Sequence, residues 1–154
     1  MNIIISGGTG LVGSHLADKL IEKGNSVYIL TRTPKKYKNT SKKRYIDYNT
    51  LVIKSYFDKV NIHAVVNLAG AGIADHRWTS SYKKKLKESR IKVTKTIVEA
   101  INKRIISPKV LISASAIGYY PPGESLHVET ERSASNFLAE ICSDWEIEAK
   151  KVKD

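Results

Sequence analysis

Cysteine is nearly absent from this sequence: Cys142 stands alone among 154 residues. A lone thiol forms no internal disulfide, so it reads as a half-buried free cysteine in a protein of the reducing cytosol. Missing too is any apolar run near the ~18 residues that span a bilayer, so no membrane passage is expected. The start, Met1-Asn2-Ile3-Ile4-Ile5, has no basic leader region and no small-residue cleavage site, and reads as a strand rather than a signal peptide. Acidic residues are scarce, 15 against 26 basic ones, for a net charge of +11. Two basic clusters contribute, Lys35-Lys36-Tyr37-Lys38 with Lys42-Lys43-Arg44, and Lys83-Lys84-Lys85. Such a surface attracts polyanions non-specifically. No zinc-ligand spacing, stacking-aromatic pattern or helix-turn-helix signal supports a nucleic-acid partner, and no metal site is expected.

What is present reads as one globular α/β domain over residues 1–154, since 42% hydrophobic and 27% charged residues exclude a disordered chain. Residues 2–6 form a short apolar run of the kind buried on both faces of a parallel sheet. From Leu11 to Lys23, the residues Leu11, Val12, Leu16, Ala17, Leu20 and Ile21 make one face of a helix, which Gly24 ends. Residues 26–30 are a second strand, and 32–43 a polar, basic surface stretch. Residues 44–48 are read as a third strand, 50–59 as a short helix, and 64–68 as a buried strand ending at Ala69-Gly70-Ala71-Gly72. A long helix follows over 79–103, with Leu86, Ile91, Val93, Ile97, Val98 and Ile101 on its apolar side. Then come a strand at 110–113, a loop over 115–134 turning at Pro121-Pro122-Gly123, and a last helix over 135–151 capped by Ser133 or Ser135. Strands alternating with helices predict a parallel sheet with right-handed crossovers.

The first turn, Gly7-Gly8-Thr9-Gly10-Leu11-Val12-Gly13, carries two overlapping glycine patterns between a strand and a helix. That context marks a cradle for a dinucleotide's pyrophosphate. Backbone without side chains approaches the phosphates, and the helix N-terminus offers them free N–H groups and partial positive charge. Gly13 permits close packing of helix on strand. About 20 residues on, an NAD site places an acid on the ribose. Here the strand ends Leu30-Thr31-Arg32-Thr33-Pro34-Lys35, with no acid. Arg32 suits a 2′-phosphate, supported by Thr31, Thr33 and Lys35, which favours NADP over NAD. The alternative is a solvated arginine on a surface loop.

The glycine turn, Leu30-Thr31-Arg32 and Asn67-Leu68-Ala69-Gly70 together resemble the extended short-chain dehydrogenase/reductases, the NAD-dependent epimerase/dehydratase family. Ile73-Ala74-Asp75-His76-Arg77-Trp78-Thr79, Ser89-Arg90-Ile91 and Ser113-Ala114-Ser115-Ala116-Ile117-Gly118-Tyr119-Tyr120 are similar to its epimerase-like subfamily often labelled cell division inhibitor. The resemblance implies a Rossmann-type doubly wound sheet of order 3-2-1-4-5, with the cofactor at the switch point. It implies Leu68, Ala69 and Gly70 beside the cofactor's ribose, Ser113 and Ser115 near the nicotinamide, and Arg90 near the cofactor. The cofactor-binding set is then Gly7, Thr9, Gly10, Leu11, Val12, Gly13, Arg32, Leu68, Ala69, Gly70 and Arg90.

Two departures from that family stand out. Its enzymes use a Tyr-x-x-x-Lys pair, the tyrosine moving a proton while the lysine lowers its pKa and holds the ribose. The matching position reads Phe137-Leu138-Ala139-Glu140-Ile141, and none of the eight tyrosines has lysine four residues on. Ser113, Ser115 and Tyr119 remain as catalytic candidates. Family members are also about twice as long by resemblance, so the sixth strand and the substrate domain are expected to be missing. Two functions stay open: an NADP-dependent oxidoreductase or sugar-nucleotide epimerase acting on a small-molecule substrate, and a nucleotide-binding module without chemistry. Self-association through helices 79–103 and 135–151 is expected.

Overall fold

The computed structural model describes residues 1–153; Asp154, the last residue of the expected domain, lies outside them. Five strands form one parallel sheet in the order β3-β2-β1-β4-β5, as the resemblance implied. They are β1 (Asn2–Ser6), β2 (Ser26–Leu30), β3 (Lys43–Ile46), β4 (Ala64–Asn67) and β5 (Val110–Ser113). Helices α1 (Leu11–Glu22), the single-turn α2 (Lys54–Phe57), α3 (Ser80–Asn102) and α4 (Phe137–Ala149) connect or follow them.

Alternation along β1 divides the core in two. Ile3 and Ile5 join Val27, Ile29, Val66 and Ala17 of α1 on one face. Ile4 joins Tyr28, Leu30, Ile46, Val65 and the α3 residues Ile97 and Ala100 on the other. Each fully buried isoleucine contributes about 1.5–3 kcal/mol, which is why the Ile-Ile-Ile run makes the central strand. Helix α4 packs on α3 through Ile141 against Tyr82 and Leu86. Lys87 clamps the pair, reaching Glu140 at 2.7 Å and Asp144 at 2.6 Å.

The sheet is pinned from inside. Buried Asn67 accepts from Ser6 Oγ at 2.6 Å and donates to Thr94 Oγ1 at 2.8 Å and to Ser113 Oγ at 3.4 Å. One side chain thereby ties β1, β4, β5 and α3.

The outer strand is barer. Val66 pairs in register with Ile112, so Ile112 faces the α1 side of the sheet. Val110 and Ile112 are 46% and 53% exposed there. Parallel sheets are ordinarily covered on both faces.

Several local expectations are corrected. The 32–43 stretch carries a 3-10 turn at Pro34–Lys36, and Tyr37 stacks on Tyr45 at 4.5 Å. Strand β3 begins at Lys43 and stops at Ile46, because Asp47 caps a 3-10 turn over Tyr48–Val52, accepting from the Asn49 N–H. Helix α4 starts two residues later than expected and is capped by Asn136, whose Oδ1 accepts from the Ala139 N–H at 3.0 Å, so neither Ser133 nor Ser135 caps it. Leu11 and Val12, assigned to the apolar face of α1, are 79% and 67% exposed at its first turn. They project from the helix start instead of onto the sheet.

Candidate functional site

A cleft of about 1070 Å³ opens at the C-terminal ends of β1, β2 and β4. The chain runs outward in both directions from β1 there, the topological switch point where open α/β sheets bind ligands. Gly7 makes the turn out of β1 with φ +74°, and a Cβ on it would lie 2.7 Å from the Leu68 carbonyl. The Gly10 N–H closes the turn on Gly7 O at 3.0 Å. A Cβ on Gly13 would collide with that same Gly7 oxygen, so helix and turn touch backbone to backbone. Gly10 stands at the N-cap of α1 with no side-chain cap and no acid in the first turn. The helix start therefore keeps donors and positive potential available to an anion.

Of the expected residues, Gly7, Thr9, Gly10, Arg32, Leu68, Ala69 and Gly70 line this one cleft. Leu11, Val12, Gly13 and Arg90 do not. Thr31 and Thr33 join the wall beside Arg32, but the lysine there is Lys36 and not Lys35, because the 3-10 turn carries Lys36 round to the cleft.

Sequence reasoning missed the opposite wall. Helix α3 contributes Ser81, Lys84, Lys85, Glu88, Ser89, Lys92, Val93 and Thr96, and β3's exit contributes Tyr48. Five cations, Arg32, Lys36, Lys84, Lys85 and Lys92, face one acid, Glu88, which pairs with Lys92 at 3.1 Å. Lysines three and seven or eight apart along a helix share a side, and that was the signal available for Lys85 and Lys92. Tyr48 had none, since its position depends on the turn after β3. Burial pushes its phenol above the usual tyrosine value, against hydrogen bonding to Ser6 and the charge of Arg32.

The catalytic candidates are spread out. Ser113 is engaged by Asn67 inside the sheet. Ser115 Oγ donates to Glu146 Oε1 of α4 at 2.6 Å. Tyr119 meets Tyr120 edge-on at 5.2 Å, and Tyr120 stacks on His127 at 4.9 Å. Phe137 and Ile141, where a tyrosine and a lysine were sought, pack as hydrophobes: Phe137 lies edge-on to Trp78 and Ile141 is buried against α3. Arg90 turns to α4, where its guanidinium stands 5.4 Å from the Trp145 ring centre. Among the described residues no cluster of three or more His, Cys, Asp or Glu is placed to hold a metal ion, and no helix is long and apolar enough to cross a membrane.

Comparison with known proteins agrees with this fold. An epimerase family protein of Staphylococcus haemolyticus is 39% identical over 154 residues, and one of Staphylococcus epidermidis 40% identical over 152. Each alignment takes in 97% of this chain and 50% of the relative, so the chain spans about half the length of these curated relatives. Among solved structures, the human epimerase family protein SDR39U1, determined with NADPH, superposes with a TM-score of 0.79 at 26% identity, over 97% of this chain and 48% of that one. A nucleoside-diphosphate sugar epimerase from Corynebacterium glutamicum gives 0.73 at 30% identity, over 99% and 31%. A Bacillus cereus UDP-glucuronic acid 4-epimerase holding NAD shares the fold at 18% identity and 0.77, over 96% and 51%. The profile of the NAD dependent epimerase/dehydratase family matches residues 3–141, and the chain belongs to that family.

Proposed function

We propose that this chain is the NADP(H)-binding unit of an epimerase/dehydratase-type oxidoreductase acting on a small or nucleotide-linked substrate. The observation that carries the reading is the end of β2, where Arg32 and Lys36 line the cleft and no carboxylate stands to receive an adenosine ribose. A guanidinium with a nearby ammonium suits a 2′-phosphate. The pyrophosphate would lie on Gly7, Thr9, Gly10 and the first N–H groups of α1, and Leu68, Ala69 and Gly70 would flank the second ribose. The solved human relative with NADPH supports the choice. The nicotinamide, when bound, accepts or supplies hydride. This chain's residues would hold and orient it, with α3 as one wall of the cleft. The lone Cys142 supports a reducing, cytoplasmic setting. Titration of the chain with NADPH and NADH tests the reading: NADPH is expected to bind at least about tenfold more tightly, and equal affinities overturn it.

A second reading rests on Phe137 and Ile141, which carry neither hydroxyl nor charge. On that reading the chain binds the dinucleotide without chemistry of its own. NADPH oxidation assays with carbonyl and sugar-nucleotide substrates separate the two, since binding without turnover favours the second.

A further inference from the structure

Arg90 is a cation without a counter-charge. Its Nη1 donates to Leu86 O at 3.0 Å, and its plane lies near the Trp145 ring. Among the described residues it forms no ion pair. The nearest titratable groups do not supply an anion. Burial pushes the Cys142 thiol up, and the thiol hydrogen is directed at Ala116 O at 3.7 Å. The Tyr82 phenol is likewise raised and donates to Gly72 O at 2.6 Å. A guanidinium has five donors, and one is used here. The side chain is half-buried, and its other N–H groups have no protein acceptor among the described residues. In the same seam Trp145 Nε1 is a buried donor without a partner among the described residues. Donors are in surplus there and acceptors are wanting.

Its position says which acceptors would arrive. Gly70 lines the cleft, and the Arg90 guanidinium lies directly against it: a Cβ on Gly70 would stand 2.7 Å from Arg90 Cζ. The order of groups along the cleft runs from Arg32 at the end of β2, through the glycine turn after β1, to Gly70 after β4. A dinucleotide laid along it presents first its 2′-phosphate, then its pyrophosphate, then its second ribose. That ribose offers two hydroxyl oxygens where Arg90 has spare N–H groups. The guanidinium also stands over Trp145, one helical turn beyond Ile141, where α4 supplies no cation of its own.

We propose that Arg90 holds the nicotinamide-side ribose, bringing from α3 the positive charge that α4 lacks. This rests on the dinucleotide reading above, and the test is built to tell the two apart. The full chain, Arg90→Met and Arg90→Lys are titrated calorimetrically with NADPH, 2′-phospho-ADP-ribose and 2′-phospho-ADP. The last two differ by the ribose alone. Arg90→Met is expected to keep its affinity for 2′-phospho-ADP within about twofold, and to bind the two ribose-bearing ligands about tenfold or more weakly. Arg90→Lys should show the same pattern with a smaller loss, and it carries the test if the methionine variant fails to fold. Uniform weakening of all three ligands, no weakening, or a loss confined to NADPH each overturns the assignment. A wild-type chain that binds none of them overturns the dinucleotide reading, and this inference with it.

Discussion

Ser6 Oγ donates to Asn67 Oδ1 at 2.6 Å, across the two central strands and out of reach of solvent. Both residues end their strands, immediately before the cleft-lining Gly7 and Leu68, so the polar knot that fixes β1 to β4 also sets the spacing of those two. Asn67→Leu leaves the Ser6 and Thr94 hydroxyls without this partner. Unmet buried groups cost about 1–3 kcal/mol in all. Thermal unfolding should show a midpoint lower by roughly 3–10 °C, and an unchanged midpoint would show the knot to be dispensable.

Arg32→Ala should weaken NADPH binding by about tenfold or more, the worth of a charge-assisted contact to phosphate. NADH affinity should stay within about twofold. An equal loss for both cofactors would mean that Arg32 supports the cleft without reading the 2′-phosphate.

Gly13→Ala puts a methyl group into the Gly7 carbonyl. Backbone meets backbone there, and no flexible side chain can yield. The turn must open, at about 1–3 kcal/mol or more, and dinucleotide binding should fall with stability. A Gly13→Ala chain with wild-type melting and wild-type NADPH affinity would contradict the contact.

Lys87 carries the pH prediction. Its hydrogen bonds to Asp144 and Glu140 hold its ammonium above the usual lysine value. A raised folded pKa stabilises fully below the unfolded value, and the contribution disappears as pH rises through the folded one. The residue is more than a third exposed, so screening limits the effect to roughly 0.5 kcal/mol. Lys87→Met should melt slightly below wild type up to about pH 10, and the gap should close at higher pH. A gap that persists above that range would assign the effect to packing.

The half-exposed Val110 and Ile112 leave one face of β5 bare. We expect the isolated chain to self-associate at high micromolar concentration, through this face or through α3 and α4. Light scattering on wild type and Ile112→Lys checks it: a monomeric wild type argues against association, and a shift toward monomer in the variant places the contact on β5.

Much of the fold was legible because its signals are local. The Ile3-Ile4-Ile5 and Val65-Val66 runs have the composition of strands buried on both faces, and α3's apolar spacing predicted its span to within a residue at each end. The cap of α4 was not legible, since Ser133, Ser135 and Asn136 are all good capping residues and only the path of the incoming loop selects among them. Lys36 displaced Lys35 for a similar reason: a 3-10 turn rotates neighbouring side chains by about a third of a circle, and its phase cannot be read from a basic cluster.

By itself, then, the sequence determined the alternating α/β order, the glycine turn and the missing acid after β2, because each depends on neighbours close along the chain. Tertiary structure alone decided that α3's lysines and Tyr48 complete the cleft, that Leu11 and Val12 stay outside it, and that Arg90 lies between Gly70 and Trp145. Those placements depend on which distant surfaces meet. A side chain's direction is settled by the partner packed against it, and for Arg90 that partner is 55 residues further along the chain.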